Sequence, residues 1–148
     1  VRKNDRFNSV QFIGRLSEFL TDTIEQELKK VGYPSLSASH FEILTYLIRK
    51  KDSQNMTNIS EAIHRKKPTV TILVNKLESI GLVNKEISEE DKREYKVHLT
   101  KKGRGFRPIA LRISSRVFSL SLWGVNEKES EDLYLLLEKV YLHTRKKL

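Results

Sequence analysis

The twelve residues from Arg65 to Lys76 hold four cations, Arg65, Lys66, Lys67 and Lys76, and no acid. Guanidinium and ammonium groups bunched in this way suit a polyanion, whose condensed counterions they displace on binding. Between them stand Thr69, Thr71, Ile72 and Asn75, whose side chains match the chemistry of base edges. An asparagine amide pairs with adenine, a threonine hydroxyl serves several bases, and isoleucine offers apolar contact to a thymine methyl. A second cluster follows at Asp91, Lys92 and Arg93. Arginine suits a narrow, strongly negative minor groove, and a carboxylate two residues away can orient it through charge-assisted hydrogen bonds. Glu89, Glu90 and Glu94 place repulsive charge around it. The plainer alternatives are a solvated helix end for the first cluster, side-chain packing for Ile72 and a surface ion pair for Asp91 and Arg93.

The elements that must carry these groups follow from periodicity. At 100° per residue Val70, Leu73, Val74, Leu77 and Ile80 share one side of a helix, which leaves Pro68, Ile72, Asn75 and Ser79 on the other. Pro68 suits the first helical position, where its missing N–H has no partner to lose, and Gly81 can supply the left-handed turn that ends the helix. Beyond it the period becomes alternating: Val83, Lys85 and Ile87, then Tyr95, Val97 and Leu99, predict two short antiparallel strands around a charged loop at 88–94. A polar-faced helix followed by a charged hairpin is the layout of a winged helix-turn-helix. Its helix enters the major groove and its wing reaches the neighbouring backbone or minor groove.

With these residues placed, the sequence resembles the MarR family of bacterial transcriptional regulators. The resemblance rests on Thr71, Leu73, Val74, Leu77, Glu78, Gly81, Leu82 and Val83, then Asp91-Lys92-Arg93, then Leu99-Thr100 with Gly103, an ordered set at family spacing. It implies one domain over 1–148, mainly α with a small β-hairpin wing. In it a winged helix-turn-helix lobe at 37–103 is flanked by N- and C-terminal dimerisation helices at 7–31 and 106–148. It further implies a homodimer on double-stranded operator DNA, a repressor released by a small aromatic or anionic effector bound between the dimer helices and the winged lobe. By position Phe12, Arg15, Phe19, Phe41 and Arg112 would line that effector pocket; the alternative for them is plain core. Asp91 and Arg93 match the family's Asp-x-Arg wing signature. The sequence departs from the family at Ile72, where a polar or basic residue is usual, at Ser60, where alanine is usual, and at His40, which stands where glutamine or a similar residue is common.

The rest of the chain fits this frame. Residues 7–31 predict a long amphipathic helix, broken by Gly32-Tyr33-Pro34, and Ser37 is a good N-cap for a second helix over 38–49. A polar linker at 50–54 leads to caps among residues 55–58 and a short helix over 59–64, whose Ile59 and Ile63 would pack on Val70 and Leu73. Thr100 caps a helix that runs to about Leu122, with a kink near 104–108 at Pro108 and a junction made pliable by Gly103 and Gly105. Gly124 and the N-cap Asn126 start the last helix, with a seam of Leu133, Leu136, Leu137, Val140 and Thr144. The terminal helices hold more apolar surface than a small winged lobe covers, which favours a two-fold dimer over a monomer folded back on itself. Such a dimer sets two reading helices one DNA turn apart, roughly 34–36 Å, on a pseudo-palindrome.

Composition narrows the function. Residues 57–107 hold twelve basic and seven acidic residues, more than half of the net charge of +9, so the excess lies on the lobe that would meet DNA. With no cysteine, thiol redox sensing, disulfides and thiolate metal sites are excluded for this chain. His40, His64, His98 and His143 are scattered without ligand spacing, and no nucleophile elbow or phosphate-cradling loop occurs, so no catalytic residue, metal or cofactor is expected. A zinc sensor built from histidine and carboxylates is the lesser alternative. No long apolar run or signal segment is visible, and the expected place is the bacterial cytoplasm, on the nucleoid, with no membrane partner. Two other readings compete: an architectural or anti-silencing protein of low sequence preference, and an adaptor that keeps the fold without binding DNA.

Overall fold

The computed structural model describes residues 8–146 together with Arg2 and Asp5. The elements run α1 (Asn8–Lys30), α2 (Ala38–Lys50), β1 (Gln54–Asn55), α3 (Met56–Ala62), α4 (Lys67–Ser79), β2 (Val83–Ile87), β3 (Tyr95–Leu99), α5 (Lys101–Gly105), α6 (Arg107–Val117), α7 (Leu120–Trp123) and α8 (Glu127–Arg145). They are mostly helical with a small antiparallel sheet. The chain divides into two compact units, Val1–Ile113 and Ser114–Leu148, with the boundary inside α6. No described helix is long and apolar enough to cross a membrane.

In the first unit the core gathers where the helical faces predict it. Leu28 of α1, Ile43, Leu44 and Leu47 of α2, Ile59 of α3, and Val70, Val74 and Leu77 of α4 are buried with Val83 and Val97 of the sheet. At about 25 cal/mol per Å² of apolar surface, such residues supply most of the lobe's stability. α1 is divided along its length. Ile24 and Leu28 are buried, whereas Val10, Phe12, Ile13, Leu16 and Phe19 are each at least 46% exposed. Phe7, at the predicted start of that helix, lies outside the described residues. Ser37 caps α2 as expected, and His40 completes a capping box: the Ser37 N–H donates to His40 Nδ1 at 2.9 Å.

Four local expectations need correction. The linker at 50–54 ends in a strand: Gln54 and Asn55 pair with Val97 and Lys96, giving the sheet order β1-β3-β2. Two residues are too few to show an alternating pattern, and their partners are 43 and 41 residues away. Asn55 then caps α3 by accepting the Asn58 N–H at 2.7 Å, so the helix begins at Met56 rather than Ile59. Pro68 occupies the second helical position of α4, not the first, still within the turn whose N–H groups lack intrahelical partners. The single kinked helix expected after Thr100 is three. α5 ends at Gly105 with Phe106 as its C-cap, so Pro108 falls in the first turn of α6, where it breaks no hydrogen bond, and α6 stops at Val117 before Ser119 caps α7.

Gly103 is fixed rather than pliable, because a Cβ there would overlap the Leu82 carbonyl oxygen. The Phe106 ring beside it meets Tyr33 and Phe41 edge to face, at 5.4 and 6.5 Å between centroids. Gly81 ends α4 at φ 78°, as its place predicts, and the Leu82 N–H returns to the Leu77 carbonyl at 3.0 Å.

In the second unit the Trp123 indole N–H donates to the Val117 carbonyl at 2.9 Å. Gly124 turns the chain at φ 65°. Asn126 then opens α8 with a capping box to Glu129. The seam residues Leu133, Leu136, Leu137 and Val140 are 45–63% exposed. Lys147 and Leu148, the last of the predicted dimerisation segment, lie outside the described residues.

Candidate nucleic-acid interface

The two clusters that open the sequence lie on α4 and on the hairpin of β2 and β3, which pack against each other. α4 presents the expected face: Lys67, Pro68, Thr69, Thr71, Ile72 and Asn75 are exposed, opposite buried Val70, Val74 and Leu77. Ile72 is 70% exposed, so in this chain it is not a packing residue. Thr71 gives its hydroxyl hydrogen to the Lys67 carbonyl at 3.0 Å, which leaves its oxygen lone pairs and its methyl facing out. Lys76 departs from the rest. It is half-buried, and its charge lies close enough to His40 of α2 to help depress that imidazole.

The start of α4 is unusual. Its N-cap is Lys66, no side chain caps it, and no acid stands in the first turn. Arg65, Lys66 and Lys67 are all exposed at this positive end of the helix dipole. The preceding turn is held by Ser60, whose hydroxyl donates to the Arg65 carbonyl at 2.6 Å, and by His64 at φ 54°. Ser60 in place of alanine therefore does more than fill space. One acid approaches the cluster through space: partial desolvation pushes the Glu42 carboxyl up, and the charges of Arg65 and His64 pull it back.

The wing at 88–94 is a closed turn. The Ser88 N–H meets the Glu94 carbonyl at 2.9 Å, and the Glu94 N–H meets the Asp91 carbonyl at 3.0 Å. Asp91 Oδ1 accepts the backbone N–H of Arg93 at 3.0 Å, so Asp91 shapes the turn under Arg93 and does not hold its guanidinium. Lys92 and Arg93 are exposed, and the Arg93 guanidinium has no hydrogen bond or ion pair among the described residues. Two of the three wing glutamates are engaged as well. Glu94 accepts the Thr57 hydroxyl at 3.1 Å, and Glu90 lies 3.6 Å from Lys96. The wing also exposes Ile87 and Tyr95, which face each other across the two strands.

Sequence reasoning missed the place of Lys85. Its ammonium reaches from β2 to Asn75 Oδ1 at 2.6 Å and to Glu78 Oε2 at 3.4 Å, and lies 5.3 Å from the Tyr95 ring centroid. Alternation only grouped Lys85 with Val83 and Ile87; no sequence signal linked it to the exposed face of α4.

The five residues expected around an effector are spread out. Phe12 and Phe19 lie on the exposed face of α1 with Arg15, whose guanidinium pairs with Glu18 at 3.0 Å. Phe41 is buried against Phe106, and Arg112 is exposed. A separate cleft of about 320 Å³ opens between the end of α2, β3, the end of α5 and the start of α6, with Leu47 and Leu99 beside the cations Lys51, Arg104 and Arg107. None of the five lines it. Among the described residues no group of three or more histidine, aspartate or glutamate side chains is placed to hold a metal ion.

Comparison with known proteins places this geometry. The MarR family model matches residues 36–95, from the start of α2 through the wing. The uncharacterised HTH-type transcriptional regulator YkoM of Bacillus subtilis is 33% identical over 143 residues, 93% of this chain and 87% of its own length. The HTH-type transcriptional regulator MgrA of Staphylococcus aureus is 30% identical over 106 residues, 72% of this chain and 70% of its own. In the S. aureus MepR–DNA complex the MepR fold superposes with a TM-score of 0.76 at 20% identity, covering 97% of this chain and 98% of that one. The chain belongs to the MarR family of transcriptional regulators, DNA-binding proteins rather than enzymes.

Proposed function

We propose that this regulator acts as a homodimer on a pseudo-palindromic operator in double-stranded DNA, as a repressor released by a small aromatic or anionic effector, in the bacterial cytoplasm and on the nucleoid. One observation carries the reading. The exposed face of α4 has no acid before Glu78, its N-terminus is cationic and uncapped, and the adjoining wing carries Arg93, whose guanidinium is unengaged among the described residues. Arg65, Lys66, Lys67 and Lys76 grip phosphates, aided by the free N–H groups at the start of α4. Thr69, Thr71, Ile72 and Asn75 meet base edges beyond Pro68. Lys92 and Arg93 reach the next groove over the turn that Asp91 shapes. MepR, which shares the fold, was solved on DNA.

The dimer is supported by the exposed apolar residues of α1 and α8, from Phe12 and Leu16 to Leu136 and Val140. For the effector, Phe12, Arg15, Phe19, Phe41 and Arg112 are the residues a partner's helices would help enclose. Release requires that the effector bind the two states of the protein unequally, a coupling that is reciprocal with DNA.

Selection from random duplex DNA, with sequencing and a salt titration on the winner, tests the reading. The expected result is a palindrome with half-sites about ten base pairs apart, bound by one dimer and held at ~0.15 M salt. Tight binding without enrichment would make the protein architectural, and no binding would return the adaptor reading.

A further inference from the structure

The reading that α4 meets base edges leaves open which base each side chain prefers. Resting on it, the geometry points to Lys85 as a positioning residue that sets the base preference of Asn75, turning it from adenine towards the acceptor edges of guanine and thymine. Lys85 Nζ lies 2.6 Å from Asn75 Oδ1. An ammonium has three donors and no acceptor, so whichever way the amide is drawn, its oxygen must face the lysine and its NH₂ must face away.

The lysine has little freedom to let go. Its side chain is only 21% exposed and is held by Glu78 at 3.4 Å on one side and the Tyr95 ring on the other. The Glu78 carboxylate also accepts the Lys85 backbone N–H at 3.4 Å, which ties the first strand of the wing to the turn of α4 after Asn75. Asn75 itself is exposed, in the middle of the face opposite the core.

Base chemistry then follows. Pairing with adenine uses both ends of an asparagine amide, the NH₂ on N7 and the oxygen accepting from the N6 amino group. Here the oxygen already accepts from a cation, and the field of that cation opposes a second N–H donor. The outward NH₂ is unaffected, and it suits O6 and N7 of guanine or O4 of thymine, while the N4 amino group of cytosine offers it nothing. Asn75 and Lys85 together form a donor-rich reader that neither residue makes alone.

The test compares operator selections with wild type, Asn75→Ala, Lys85→Met and Lys85→Arg, each confirmed folded by its thermal transition. The position that loses its preference in Asn75→Ala is the one Asn75 reads. Wild type is expected to favour guanine or thymine there, by roughly tenfold over cytosine. Lys85→Met frees the amide and shifts the preference to adenine, whereas Lys85→Arg, also a pure donor, keeps it. A purely structural role for Lys85 would lower affinity for all sequences without changing the preferred base. Adenine preferred by wild type and unchanged in Lys85→Met, or no position altered by Asn75→Ala, overturns the inference while leaving the DNA-binding reading intact. No enriched sequence from wild type removes both.

Discussion

Two helices of this chain begin in opposite ways. α8 opens with Asn126 accepting the Glu129 N–H at 3.0 Å, Glu129 accepting the Asn126 N–H at 2.9 Å, and acids at 127 and 129 against the positive end of the dipole. α4 opens with Lys66, without a side-chain cap and with three exposed cations at the same end. The first arrangement satisfies orphan N–H groups and the dipole from within, a gain of about 1 kcal/mol for the cap and a few tenths for each acid. The second leaves both unsatisfied and adds repulsion. In the free protein water serves the exposed N–H groups of α4. On the proposed reading a DNA phosphate replaces it, and the contrast is then one between a helix end built for stability and one built for binding.

The sharpest way to break this comparison is to neutralise the α4 start. Replacing Arg65, Lys66 and Lys67 together with glutamine should reduce operator affinity at least about a hundredfold at ~0.15 M salt and, with both subunits of the proposed dimer altered, lower the log–log salt slope by about 5.4, at about 0.9 per phosphate contact. Thermal stability should hold or rise slightly, because the lost charges opposed the dipole. An unchanged salt slope would show that these cations do not meet phosphate.

The wing comes next. Arg93→Ala should cost roughly tenfold in affinity, within the 1–3 kcal/mol range of a good groove contact. Because Asp91 acts through the backbone N–H of Arg93, Asp91→Asn should keep the turn and most of the affinity, while Asp91→Ala should lose several-fold. If Asp91→Asn fails as badly as Asp91→Ala, the carboxylate charge matters directly and the turn account is wrong.

Caps built from within should behave as stability elements alone. Asn126→Ala should lower unfolding free energy by about 1 kcal/mol in denaturant titrations without altering base preference. The α2 cap adds a pH dependence. Burial, then Lys76, lower the pKa of His40 below its ordinary 6.5, against an opposing pull from Glu25, so the folded state resists protonation. Stability is therefore full above the unfolded pKa and declines as pH falls through about 6.5. Protonation also removes the Nδ1 lone pair that accepts the Ser37 N–H. Chemical denaturation at pH 7.5 and 5.5 should show this decline in wild type and a smaller one in His40→Gln.

What was legible in the sequence was what neighbours in the chain decide. Ser37, Thr100 and Asn126 cap their helices, and Gly81 and Gly124 take left-handed turns, because each needs only its own short side chain or its lack of a Cβ. The exposed face of α4 was legible from its period. Contacts made across the fold were not. β1 exists only because β3 supplies its partner, Gly103 is required by a carbonyl at Leu82, and Glu42 reaches Arg65 from a different helix. The bond between Lys85 and Asn75 joins residues ten apart on a strand and a helix, and no spacing rule predicts it.

The smallest effect separates the two kinds of helix start most cleanly. Lys66→Ser places a hydroxyl at the N-cap of α4, where the backbone is already extended at φ −69° and ψ 147° and suits a capping side chain. Its oxygen can accept the Thr69 N–H, a gain of about 0.5–1 kcal/mol in stability, while the loss of one phosphate contact in each subunit lowers affinity about fivefold and the salt slope by about 1.8. Stability and affinity should thus move in opposite directions from one substitution. If stability falls with affinity, Lys66 is holding the fold together and the bare start of α4 is not kept for DNA. If stability rises and affinity is unchanged, neither the Lys66 cation nor the Thr69 N–H meets phosphate, and the bare start of α4 is not kept for DNA.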